Sequence, residues 1–121
     1  MTLKYVLFQG VLGLRLSDGR HASEGRVEIY HNGSWGTVCN NKWDLRDATV
    51  VCHALGYQSA VSSSASFGEG SGPILLDAVD CVSDEATLTE CQHDGFGVHD
   101  CTHAQDAGVR CSGKKIKIAF L

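Results

Sequence analysis

The pattern of apolar and polar positions predicts one well-defined helix between residues 44 and 56. Its apolar positions recur at i, i+3, i+4 and i+7 and therefore share one face. They are Ala48, Val51, Cys52 and Leu55. Asp44 is a good N-cap, and Asp47, three residues later, favours the positive end of the helix dipole. Gly56 predicts a left-handed stop.

Strand patterns flank this helix. Residues 26–30 alternate, and Asn32-Gly33 separates them from a second strand-like run at 35–39, which predicts a hairpin. Residues 57–67 favour a weaker strand or a mobile loop, and the glycine-rich stretch 68–73 favours a loop. Residues 74–79 indicate a buried strand and 81–91 a short helical or turn segment. A long polar loop over 92–106 and a closing strand at 109–111 follow.

The two ends do not share the pattern of the middle. Residues 6–10, V-L-F-Q-G, resemble the cleavage site of a picornaviral 3C protease, which is used to remove tags. We therefore expect residues 1–12 to be a tag-derived or leader stretch and residues 13–112 to form the domain. Residues 113–121 contain alternating basic and apolar residues, which fits an extra strand, a linker or more tag sequence.

Length and charge restrict the class of protein. A chain of 121 residues predicts one domain with a modest core. The net charge of −4 argues against a general nucleic-acid binder, so we expect no nucleic-acid specificity. No apolar run is long enough to cross a bilayer, so we expect no membrane insertion by this domain.

Six cysteines in so short a chain indicate disulfides. None of them forms a C-x-x-C pair, which is the usual start of a zinc site. Disulfides imply an oxidising, extracellular compartment. Six cysteines allow fifteen pairings, and spacing alone does not choose among them.

Several motifs, in register with the cysteines, resemble those of the scavenger receptor cysteine-rich family. The resemblance runs from about residue 14 to residue 112. The motifs are G-R-V-E-I-Y at 25–30, W-G-T-V-C at 35–39, W-D-L-R-D-A-T-V-V-C at 43–52, A-L-G-Y at 54–57, F-G-E-G-S-G-P-I at 67–74, L-D-A-V-D-C at 76–81, L-T-E-C at 88–91 and H-A-Q-D-A-G-V-R-C at 103–111.

The resemblance implies an α+β fold, in which a curved antiparallel sheet cradles one helix. It also implies the six-cysteine group A pairing, namely Cys39–Cys101, Cys52–Cys111 and Cys81–Cys91. Domains of this family are binding modules rather than catalysts. The sequence agrees, since it has no nucleophile elbow and no H-E-x-x-H motif. We therefore expect no enzymatic activity and no catalytic residues.

Many relatives hold calcium with two aspartates after the first cysteine and a glutamate in the C-terminal H-x-E-D-A-G-V stretch. Asn40, Asn41 and Gln105 occupy these positions here. Calcium affinity falls as ligand charge is removed, so we expect a weak or lost site.

A second acidic set, Asp77, Glu85 and Asp100, matches positions that some relatives use for another cation. The alternative is that Asp77 caps a turn and the other two are solvated charges. The resemblance therefore implies at most weak calcium binding, and no cofactor is required.

Other residues have weaker signals. His93, His99 and His103 suggest zinc, although three histidines in a loop are more often surface residues. Residues 58–60 lack the basic cluster of polyanion-binding relatives, and the arginines elsewhere are scattered. Asn32 begins a glycosylation sequon on the predicted turn. Phe96, flanked by glycines in a long loop, is a candidate for ligand contact.

The sequence thus predicts an extracellular module that binds a protein or a polyanionic ligand through its loops. The alternative is a structural spacer of a multidomain protein, with no ligand and no calcium dependence.

Overall fold

The computed structural model describes residues 13–113 and residue 115. That part of the chain forms six strands and one α-helix. They are β1 (Leu14–Asp18), β2 (Glu24–His31), β3 (Ser34–Val38), α1 (Leu45–Ala54), β4 (Ser59–Ser62), β5 (Ile74–Leu76) and β6 (Gly108–Ser112). Two 3-10 turns span Leu88–Glu90 and His103–Gln105. The predictions for residues 1–12 and for most of residues 113–121 concern parts of the chain outside the described residues.

The sheet has the order β4-β6-β2-β3-β5, and β1 pairs with β2 outside this path. Four of the five strand pairings are antiparallel, as predicted. The pairing of β3 with β5 is parallel, because the chain between them crosses over through α1 and β4 rather than through a hairpin. The sheet curls into a half-barrel, and α1 packs against β4 and β6.

The helix begins and ends where its caps predict. The Asp44 side chain accepts from the backbone N–H groups of Arg46 and Asp47, and the Asp47 carboxylate accepts from the Asp44 N–H. Gly56 has φ +93° and follows the last turn. Val50 is fully buried along with the predicted apolar positions Ala48, Val51 and Cys52, so the buried face is wider than the predicted stripe.

The β2–β3 hairpin is confirmed. Asn32 and Gly33 have φ values of +50° and +86°, the left-handed pair that a two-residue turn between twisted strands requires. Asn32 is exposed at the tip of this turn.

Strand β2 is buried on both faces, whereas its alternation predicts one solvated face. Val27 and Ile29 face the core, and Arg26 and Glu28 are also buried. Arg26 donates to Glu28 and Asp18 and to the carbonyls of residues 67 and 68. The charged face is therefore covered by its own ion pairs and by the glycine-rich loop.

Three disulfides form in the pairs that the resemblance implies, and two of them connect distant parts of the fold. Cys39–Cys101 joins the end of β3 to the C-terminal half, and Cys52–Cys111 joins α1 to β6. Cys81–Cys91 closes a local loop. Among the described residues, no helix is long and apolar enough to cross a membrane.

Candidate ligand-contact surface

Residues 92–100, here called the contact loop, lie at the end of β5. The backbone N–H of Gly97 donates to the Leu75 carbonyl at 2.9 Å, and that of Asp94 donates to the Asp77 carbonyl at 3.2 Å. Cys101, which follows the loop, is held by its disulfide to Cys39. The loop is therefore fixed on the strand rather than free in solvent.

The contact loop presents apolar side chains to solvent. Phe96 is 39% exposed, and its ring stacks on that of His31 with centroids 3.8 Å apart and planes 2° apart. His93 meets the same ring edge-on at 5.3 Å. Val98, two residues later, is 55% exposed. Phe96 is thus exposed and is supported by the hairpin beside it, and its role in ligand contact stays a prediction.

A depression of about 610 Å³ lies beside the contact loop. It is lined by Asn41, Lys42, Asp77, Ala78, Asp94, Val98, His99 and Asp100. Asp77 is 5% exposed, whereas Asp94 and Asp100 are exposed. Three carboxylates and one ammonium group make this surface negative.

Two of the three side-chain amides at the first predicted cation site, those of Asn41 and Gln105, bond to the protein itself. The Asn41 side-chain amide donates to Asp100 at 3.3 Å. The Gln105 amide oxygen accepts from the Thr102 N–H, and the Gln105 backbone carbonyl accepts from the Asn40 N–H. Asn and Gln oxygens can bind calcium but carry no charge, so a weak or lost calcium site stays a prediction for these residues.

The second acidic set is divided in space. Asp77 and Asp100 line the depression, but Glu85 does not. The Glu85 carboxylate accepts from the N–H groups of Val82 and Ser83, and these bonds, that of Val82 foremost, lower its pKa. Within the described residues, the three carboxylates do not form a set of ligand atoms within 4.8 Å of one another.

The three histidines have separate structural roles. Nδ1 of His93 accepts from the Gly95 N–H and Nδ1 of His99 accepts from the Cys101 N–H, both at 3.0 Å. The Nδ1 lone pair of each ring is therefore engaged by the backbone.

His103 lies between two acceptors instead. Nε2 donates to the Gly72 carbonyl at 2.9 Å and Nδ1 faces the Asp106 carboxylate at 2.9 Å. Partial burial opposes the charged ring, but these two bonds outweigh it and raise the pKa of His103.

The arginines all lie beside carboxylates, and two glutamates each serve two of them: Glu28 contacts Arg15 and Arg26, and Glu24 contacts Arg20 and Arg110. Each of the five bonds to at least one carboxylate. The pairs are Arg15–Glu28, Arg20–Glu24, Arg26–Asp18, Arg26–Glu28, Arg46–Asp44, Arg46–Asp80 and Arg110–Glu24.

Sequence reasoning missed several members of this surface. His31 supports Phe96 from a different strand, and Asp94, Val98 and Lys42 complete the depression. The only local signal for them was the D-G-F-G stretch at 94–97, which marks a turn that displays its aromatic residue.

Comparisons with known proteins agree with this architecture. The model of the family described as "Scavenger receptor cysteine-rich domain" matches residues 17–112. Galectin-3-binding protein of Rattus norvegicus is 54% identical over 110 residues, which cover 89% of this chain and 19% of that protein. A scavenger receptor cysteine-rich domain superfamily protein of Patiria pectinifera is 50% identical over 106 residues, 86% of this chain and 9% of that protein.

Two solved structures are also similar. The third SRCR domain of murine neurotrypsin has a TM-score of 0.72 and 46% identity, covering 81% of this chain and 94% of that one. The dimeric form of the SRCR domain of mouse MARCO has a TM-score of 0.68 and 48% identity, covering 74% of this chain and 86% of that one. The chain spans less than a fifth of the length of the curated relatives given above.

Proposed function

This chain belongs to the scavenger receptor cysteine-rich family, and we propose that it binds a protein partner through the contact loop without requiring calcium. Domains of this family are generally extracellular ligand-binding modules without enzymatic activity. For this chain in particular, we propose the class of ligand, a protein, and the absence of a calcium requirement.

The observation that carries the proposal is an exposed aromatic side chain on a fixed loop. Phe96 and Val98 are exposed, yet backbone bonds to β5 and the ring of His31 hold the loop that carries them. An aromatic anchor that is already ordered loses little conformational entropy on binding, which is typical of interface hot spots.

A protein partner fits this surface better than a polyanion does. Polyanion recognition needs cationic side chains at the contact surface, and among the described residues no arginine lines the depression beside Phe96. The depression beside Phe96 is itself negative. A polyanion would therefore be repelled beside Phe96 and Val98.

The experiment is a binding screen of the domain against a panel of extracellular proteins, run in parallel in buffer containing EDTA and in buffer containing calcium. The panel includes galectin-3, because the name of the rat relative says that it binds that protein. The test variant is Phe96→Ala/Val98→Ser. The matched control is Val61→Ser/Val82→Ser, which changes two other exposed valines at 60% and 67% exposure.

We expect partners that bind the wild type and the control variant but lose at least tenfold in affinity for the test variant. Binding that appears only with calcium, or that the test variant retains, would contradict the proposal. Binding to no member of the panel would favour the structural spacer.

A further inference from the structure

We propose that an N-glycan on Asn32 covers the contact loop, so that chains with an unmodified Asn32 bind a protein partner there and glycosylated chains bind it weakly. This inference rests on the proposed function and specifies how the same surface is regulated. Three observations carry it: an exposed sequon on the β2–β3 turn, a ring contact between that turn and Phe96, and a short separation between Asn32 and Phe96.

The sequon lies on a turn that is open to solvent. Asn32, Gly33 and Ser34 are all exposed where β2 connects to β3. Among the described residues, a Cβ atom at Gly33 would meet no atom within 4 Å outside its chain neighbours. The turn therefore has room for a bulky sugar chain, and the disulfides are consistent with a compartment in which such chains are added.

The turn that carries Asn32 also supports the aromatic anchor of the contact loop. His31 directly precedes Asn32, and its ring stacks on that of Phe96 with centroids 3.8 Å apart. His31 is half-buried in this stack, whereas Phe96 and Val98 stay exposed. One peptide unit and one ring stack thus separate the acceptor asparagine from Phe96.

A protein partner that binds Phe96 would also cover Asn32. A standard interface buries about 800 Å² on each partner, which corresponds to a circular patch with a radius of roughly 16 Å. The Cα atoms of Asn32 and His31 are about 3.8 Å apart, and the His31 ring contacts that of Phe96. Asn32 therefore lies well inside a patch of this size centred on Phe96, and a sugar chain there would occupy space that the partner needs.

The sugar chain acts through its volume rather than through one specific contact. An N-glycan is bulky and hydrophilic and extends from the surface into solvent. It keeps a partner of protein size away from Phe96 without covering the ring from small molecules. The fraction of chains with an unmodified Asn32 thus sets the amount of protein that binds through the contact loop.

The experiment measures the affinity of antibody fragments for the domain secreted from eukaryotic cells. Fragments are selected on Asn32→Gln, and those with at least tenfold lower affinity for Asn32→Gln/Phe96→Ala/Val98→Ser are kept as probes of the contact loop. The comparison is between the wild type and Asn32→Gln. The matched control is Asn32→Gln/Val61→Asn, in which Ser63 completes a new sequon. Val61 is exposed on β4, which lies at the opposite end of the sheet order from β5.

Mass spectrometry verifies each glycan before binding is measured. We expect the glycosylated wild type to bind the fragments at least tenfold more weakly than Asn32→Gln does, and the glycan at residue 61 to change their affinity less than threefold. Equal affinity for the wild type and Asn32→Gln would overturn the inference. So would an equal loss caused by the glycan at residue 61, or an unmodified Asn32 in the secreted wild type.

This test needs no natural partner, so its result is separable from that of the binding screen. If the glycan blocks the fragments but natural partners bind Phe96→Ala/Val98→Ser as well as the wild type, the proposed function fails and the covering of the loop stands. If partner binding depends on Phe96 and Val98 but the glycan leaves the affinity of the fragments unchanged, the inference about Asn32 fails instead.

Discussion

Two buried carboxylates show how the same chemical group responds to different surroundings. Asp47 is fully buried at the first turn of α1, and burial is the main cause that raises its pKa to about 6. Glu24 is also buried, but its hydrogen bond with the Arg20 guanidinium is the main cause that lowers its pKa to about 2. The two residues therefore predict opposite dependences of stability on pH.

In the unfolded state, the Asp47 carboxyl group loses its proton at its ordinary pKa of 3.8. In the folded state, it keeps that proton to a higher pH. The stability that Asp47 contributes is thus complete below pH 4 and is lost as the pH rises towards 6. Each pKa unit corresponds to roughly 1.4 kcal/mol, so the change is about 2–3 kcal/mol. We expect Asp47→Asn to remove this slope from urea unfolding measured between pH 4 and pH 7. An unchanged slope would mean that another group titrates there.

For Glu24, the ionised form is favoured in the folded state, so its contribution is complete above pH 4.5 and is lost as the pH falls towards 2. We expect Glu24→Gln to be less stable than the wild type at pH 7 and to lose less stability between pH 4.5 and pH 2. The control is Glu90→Gln, which changes an exposed glutamate. If Glu24→Gln loses as much stability between pH 4.5 and pH 2 as the wild type does, the assignment to Glu24 is wrong.

At this scale, the sequence reveals a residue's local role but not its distant partner. The capping role of Asp44 and the place of Asp47 follow from helix signals alone. The burial of Asp47 does not, because it depends on the Cys81 N–H, which donates to Asp47 from 34 positions away. Phe96 was predicted as a contact, but its support by His31 depends on a hairpin 65 positions earlier.

At the scale of elements, the long disulfides fix the helix and the contact loop to the rest of the fold. Cys52–Cys111 closes a separation of 59 residues and Cys81–Cys91 one of 10. By the chain-entropy model, the first is worth about 4 kcal/mol and the second about 3 kcal/mol.

Replacing Cys52 and Cys111 together by alanine should therefore lower the free energy of unfolding more than the same change at Cys81 and Cys91. Guanidinium unfolding of the two double variants is the measurement. A larger loss from the 81–91 pair would show that the short loop contributes more than its entropy.

The β2–β3 turn predicts a modification at the same scale. Asn32 is exposed in a sequon on an ordered turn, and the three disulfides are consistent with passage through an oxidising compartment. We predict that Asn32 carries an N-glycan when the chain is secreted from eukaryotic cells. Mass spectrometry before and after glycosidase treatment tests this, with Asn32→Gln as control. An unmodified Asn32 in secreted protein would contradict it.

The sequence predicts the elements that are marked by caps, turn residues or periodicity. It does not predict the limits of strands that are set by pairing with other strands. The helix and the hairpin follow from caps, turn residues and periodicity. The extent of β4 and β5 does not, because their ends are set by partners in β6 and β3. Strand β1 was not predicted, although it pairs with β2 over five residues.

At the scale of the whole molecule, the motifs place most of the chain in one family, and the family implies the sheet, the helix and the disulfide pairs. The motifs do not reveal the contact surface, because its members come from separate segments that meet only in the fold. The family resemblance implies carboxylates where this chain has Asn40, Asn41 and Gln105, and we propose that these neutral residues lower the affinity for calcium.

The most direct test of a calcium-independent module is thermal unfolding in 5 mM calcium and in EDTA. The wild type is compared with the triple variant Asn40→Asp/Asn41→Asp/Gln105→Glu, which restores the three carboxylates. A ligand that binds only the folded state raises the Tm by mass action. We predict a calcium-induced rise of about 1 °C or less for the wild type and of several degrees for the triple variant. A rise of several degrees in the wild type that Asp77→Ala abolishes would contradict the account.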